Sequence, residues 1–148
     1  MRTLVIGIGN PLAGDDGAGP AVAERLEDTP GVIVRMSHQL IPELAEDVAA
    51  ADRVVFVDAA RGGRLTVSRV SGAAGAHDAS SLTHVLAAET ILALSHRLYG
   101  RVPTAYLVRV PGSDFRPGTN LSASVHRLIP KAVAAVKRLL LANTAYVR

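Results

Sequence analysis

Five short strand-like runs, separated by segments with helical spacing, constrain this chain more than any other feature. Leu4 to Ile8 stops at Gly9-Asn10-Pro11, and Gly31 to Met36 follows a proline. Val54 to Asp58 is apolar until its last residue, Leu65 to Val70 alternates after Gly62-Gly63, and Ala105 to Val110, apolar apart from Arg109, reads as a fifth strand. Continuous apolar runs of this length read as strands buried on both faces. Between them, Val22 and Leu26 lie four apart, Pro42-Glu43-Leu44 opens a second helix, and Ser80 or Ser81 starts a long helix through Leu98 that Gly100 ends. From Leu121 to near Leu141 the apolar residues Val125, Leu128, Ala132, Val136 and Leu139 keep helical spacing, with Pro130 expected to interrupt and kink that helix. Strands alternating with helices predict a mostly parallel sheet with helices on both faces, and Leu65 to Val70 suits an edge strand.

In such sheets ligands bind outside the carboxyl ends of the strands. Strand one leads into Gly7-Ile8-Gly9-Asn10-Pro11-Leu12-Ala13-Gly14-Asp15-Asp16-Gly17-Ala18-Gly19. Gly7-Ile8-Gly9 suggests a dinucleotide loop, but the position of the third glycine is Leu12, Pro11 lacks an N–H, and two aspartates sit where a pyrophosphate needs positive potential. Like charge favours a cation there. Asp15-Asp16 also reads as a helix cap, for which one aspartate suffices, so the second is available to face the crevice. Asp58 closes strand three, at the sheet's carboxyl edge. His84 lies one turn into the long helix, and His38 follows strand two. His77 falls in a glycine-rich loop, and His96 and His126 read as surface or structural residues. Asp16, Asp58 and His84 make an oxygen–oxygen–nitrogen set suited to a divalent metal such as zinc, nickel or manganese.

Length and composition narrow the alternatives. A domain of 148 residues buries about 68–70% of its unfolded surface and holds itself together through its core. The absence of cysteine removes thiolate metal sites, disulfides and cysteine nucleophiles. No apolar run is long enough to span a bilayer, and residues 1 to 7 lack a signal peptide's apolar region; the expected location is the cytoplasm, without a membrane partner. Residues 1–58 carry a net charge of −6, and residues 59–148 carry +9. The basic half has no Lys/Arg block and few aromatics, so no nucleic-acid partner is expected.

The stretch Gly7 to Gly19 resembles the opening motif of the hydrogenase maturation proteases, which remove a C-terminal extension from the large-subunit precursor of [NiFe]-hydrogenases. The similarity continues through Gln39-Leu40-Ile41-Pro42-Glu43-Leu44-Ala45, through Val54-Val55-Phe56-Val57-Asp58-Ala59-Ala60, and through Ser80 to His84. The resemblance implies a single domain over residues 1–148, a three-layer α/β/α sandwich around a mostly parallel five-stranded sheet. It implies a catalytic and metal-ligating set of Asp16, Asp58 and His84. The family often has glutamate at the first position, and the shorter Asp16 changes its reach. Ser37-His38-Gln39 stands where many relatives have a glycine-rich stretch with an aspartate.

The resemblance also implies that nickel already held by the precursor marks it for cleavage, with no organic cofactor. No Ser–His–Asp arrangement is legible. Water attack fits better, with a metal polarising the carbonyl or activating water and a carboxylate accepting the proton. Two rivals remain on sequence alone: a non-catalytic nickel carrier or hydrogenase chaperone using the same ligands, and a nucleotide-binding enzyme.

Overall fold

The computed structural model describes residues 1–71 and 82–146; the side chains of residues 82–86 and 142–146 lie outside that description. The strands are β1 (Thr3–Ile8), β2 (Val32–Ser37), β3 (Arg53–Arg61), β4 (Thr66–Val70) and β5 (Thr104–Gly112). The helices are α1 (Ala18–Glu24), α2 (Leu44–Ala50), α3 (Leu82–Tyr99) and α4 (Ala123–Tyr146). One five-stranded sheet has the order β2-β1-β3-β5-β4. β1, β2, β3 and β5 run parallel, and β4 pairs antiparallel to β5 at the edge. This is the α/β/α sandwich that the alternation of strands and helices predicts.

Alternation along the strands divides the core in two. Leu4, Ile6, Val54, Phe56 and Leu107 pack with Leu44 and Val48 of α2 and with Ala88, Ile91 and Leu92 of α3. Val5, Val55, Val57 and Val108 pack with Val22 of α1 and with Val125, Ile129 and Val136 of α4. Fully burying a side chain such as Phe56, 0% exposed, contributes about 2–3 kcal/mol. The continuous apolar runs are therefore needed because both sheet faces are covered.

Two local expectations are corrected. β3 does not end at Asp58. Its pairing with β1 ends there, at Ile8↔Asp58, but its ladder with β5 continues to Arg61↔Gly112. A carboxylate interrupts the apolar pattern without removing any main-chain hydrogen bond. Pro130 does not interrupt α4, which runs through it from residue 123 to 146. Pro130 and His126, whose carbonyl loses its N–H partner, are both exposed, so water can reach that carbonyl while Ile129 and Ala132 keep the inner face packed.

The strand order fixes where a ligand can enter. β1 sends the chain to β2 on one side, and β2 returns it to β3 on the other, so the carboxyl ends of β1 and β3 diverge in their connections. That divergence opens a crevice in open α/β sheets. Ile8 and Asp58 stand side by side at its base.

Candidate functional site

The motif after β1 winds into a 3-10 turn, Gly14–Gly17, that leads directly into α1. Neither Asp15 nor Asp16 caps a helix: both helical segments start without a side-chain cap. Their carboxylates diverge instead. Asp15 is wholly buried and turns toward the segment after β5. Its Oδ2 accepts from the main-chain N–H of Ser113 (2.8 Å) and Asp114 (2.9 Å) and from the Ser122 hydroxyl (2.8 Å). Its Oδ1 accepts from the Ser122 N–H at 2.7 Å. Burial pushes this carboxyl's pKa up, but the N–H groups of Ser122, Ser113 and Asp114 and the Ser122 hydroxyl outweigh it, so the pKa lies below its ordinary value.

Asp16 turns the other way. It is half-buried, and its Oδ2 accepts from the Asn10 N–H at 2.7 Å. Asn10 is itself ordered, since its Oδ1 accepts from the Leu12 N–H at 2.9 Å. The glycines of the motif serve this close packing. Gly9 has φ +143°, and a Cβ there would meet the Asp16 carbonyl oxygen at 1.9 Å. A Cβ on Gly19 would stand 2.4 Å from the carbonyls of both Ile8 and Val57, so the start of α1 lies directly on β1 and β3. A Cβ on Gly7 would stand 2.7 Å from the Gly19 carbonyl oxygen, so both glycines of the Gly-x-Gly pattern serve this packing of chain on chain.

Asp58 is 2% exposed, and its Oδ1 accepts from the N–H of Ala59 at 2.8 Å. By alternation it shares a sheet face with Val54 and Phe56, the side on which α2 and α3 pack. The Gly9 N–H donates to the Ser37 carbonyl at 2.9 Å, which brings the segment after β2 alongside the motif. The result is a cavity of about 280 Å³ lined by Ile8, Gly9, Asp16, His38, Gln39, Leu40, Asp58 and Ala87. Its size is at the lower end for small-molecule pockets and does not enclose a dinucleotide.

Asp16 and Asp58, 42 positions apart, thus line one cavity at the switch point. His38 lines it too, while His96 and His126 lie exposed on α3 and α4. The backbone of His84 belongs to α3, one helical turn before the cavity-lining Ala87, but its side chain lies outside the described residues, as do His77, Ser80 and Ser81. Among the described residues, no three His, Asp or Glu side chains are close enough to hold a metal. The two carboxylates supply hard oxygen donors of the kind a divalent cation takes, and a third protein ligand would have to come from outside that set. Gln39, Leu40 and Ala87 were not singled out in the sequence as cavity residues. The rule that ligands bind beyond the strands' carboxyl ends points to the first two through their place after β2, whereas Ala87 carries no signal.

Several solved structures share nearly all of this architecture. The hydrogenase maturating endopeptidase HybD from E. coli superposes with a TM-score of 0.76 over 97% of this chain and 94% of its own, at 24% identity. The [NiFe] hydrogenase maturation protease HybD from Thermococcus kodakarensis gives 0.72 over 94% of this chain and 99% of its own, at 23% identity. An endopeptidase from Escherichia coli, solved in solution, gives 0.71 over 95% and 92%, at 25% identity. No protein-family model and no curated protein matches the sequence. The chain has the fold of these hydrogenase maturation endopeptidases over nearly its full length.

Proposed function

We propose that this chain is an endopeptidase of hydrogenase maturation, which removes the C-terminal extension of a [NiFe]-hydrogenase large-subunit precursor after nickel insertion. The observation that carries the reading is that Asp16 and Asp58, from different strand ends, line one cavity in a chain that shares nearly all its fold with solved maturation endopeptidases. Asp16, Asp58 and His84 would hold the precursor's own nickel or another divalent ion, which when bound polarises a peptide carbonyl toward water.

The chain's own residues do the rest. The Asn10 N–H holds one oxygen of Asp16, leaving the carboxylate fixed beside the cavity rather than swinging in solvent. Asp58, nearly without solvent contact, is set by the β1 and β3 ladder at the cavity floor. A carboxylate so placed accepts the proton of an attacking water as the peptide bond breaks. The basic second half of the chain favours docking onto an acidic precursor face, a pull that salt screens.

The test is incubation of the purified chain with nickel-loaded precursor, with mass analysis of the released C-terminal peptide. Release that fails with His84→Ala supports the reading. Tight binding of the precursor without release turns it into that of a nickel carrier or chaperone. Micromolar binding of NAD(P) or ATP in a calorimeter would revive the nucleotide reading.

A further inference from the structure

Among the described arginines only Arg53 and Arg109 are not exposed, and the fold treats them oppositely. Arg53 is 3% exposed and donates to the Thr3 hydroxyl (3.1 Å) and to the carbonyls of Leu139 and Leu140 at the far end of α4. Arg109 is half-buried and makes no hydrogen bond or ion pair with any described residue. None of the buried side-chain polar atoms among the described residues lacks a partner, so the Arg109 guanidinium reaches solvent. A permanently charged group with five donors, half-buried and without an acceptor among the described residues, is open to a ligand from solvent.

Its place in the sheet gives one. Arg109 is the register partner of Asp58 on β3 and of Thr66 on β4. Neighbouring parallel strands lie about 4.8 Å apart and partnered residues share a face, so Arg109 stands beside Asp58 on the side of α2 and α3. The register thus sets a cation on β5 next to the carboxylate of Asp58, which lines the cavity together with Asp16. Two carboxylates repel an acidic ligand, and a planar guanidinium next to them matches a carboxylate in two-pronged geometry.

Resting on the endopeptidase reading, we infer that Arg109 binds a carboxylate of the precursor's C-terminal segment on the β5 side of Asp58. That carboxylate is either the terminal one or an acidic side chain of the extension. The experiment compares the unaltered chain with Arg109→Ala, Arg109→Gln and Arg109→Lys on nickel-loaded precursor at fixed salt. Arg109→Ala lowers kcat/KM by about 10- to 100-fold, mainly through KM, with an unchanged melting midpoint. Arg109→Lys restores only part, because an ammonium lacks the fork. Should the alanine variant not fold, the glutamine variant takes its place. Precursor with an amidated C-terminus, and precursor with the extension's acidic side chains changed to amides, separate the two sources. The one that matters reproduces the loss with the unaltered chain and adds nothing to Arg109→Ala. Equal kcat/KM for Arg109→Ala and the unaltered chain overturns the inference, as does full additivity with both precursors. If the unaltered chain leaves the precursor whole, both readings fall, an outcome distinct from cleavage that ignores Arg109.

Discussion

Asp15 and Asp16 are chemically identical neighbours on one short turn, yet the two sides of that turn have nothing in common. On the Asp15 side the carboxylate is sealed from water and saturated by four hydrogen bonds from residues 98 to 107 positions away. On the Asp16 side the carboxylate has a single hydrogen bond among the described contacts, to a main-chain N–H six positions away, and looks onto a cavity. One aspartate holds the segment between β5 and α4 in place, and the other faces the cavity. A carboxylate becomes structural when N–H groups meet its charge, and it stays available when they do not.

Substitutions test this contrast. The largest effect is expected for Asp16→Asn and Asp58→Asn, which should slow precursor cleavage by about 100-fold or more at an unchanged melting midpoint. Full cleavage by both variants, read by mass of the released peptide, would falsify their place in the reaction. Next is Asp15→Ala, which strands three N–H groups and one hydroxyl and should cost about 3–4 kcal/mol in urea unfolding. If it melts like the unaltered chain while losing cleavage, the two aspartates have been assigned the wrong way round.

Acid sharpens the same point. The folded pKa of Asp15 lies below its ordinary value. Its contribution to stability is thus complete above the unfolded value of about 3.9 and is lost as pH falls through the lower folded value. The stability gap between the unaltered chain and Asp15→Asn should therefore narrow on acidification below about pH 4, and a gap constant down to pH 2 would contradict the assignment.

Gly9→Ala comes next. Its Cβ would invade the Asp16 carbonyl, and it should cost about 1–3 kcal/mol and reduce cleavage together. The smallest effect is expected at Arg116, whose bidentate pair with Asp114 lies on the surface and holds the Asp114 pKa at about 2. Arg116→Ala should leave the melting midpoint within error at moderate salt.

Much of the fold was legible because its signals are local. The apolar runs at Leu4 to Ile8 and Val54 to Asp58 are read from adjacent residues, and so is the helical spacing of Val125, Leu128 and Ala132. Where the pattern was interrupted by a side chain that costs no main-chain hydrogen bond, as at Asp58, the reading stopped three residues early. At Pro130 the lost hydrogen bond was real, but packing of the inner face of α4 outweighed it.

The sequence by itself determined the strands, most of the helices and the pair Asp16 and Asp58 as candidates, because periodicity and motif are properties of neighbouring residues. Only the tertiary structure decided that these two share a cavity, that Asp15 faces away from it, and that Arg109 stands beside Asp58. Each of those facts depends on strand order and register, which are set by contacts between residues dozens of positions apart and leave no mark on local spacing.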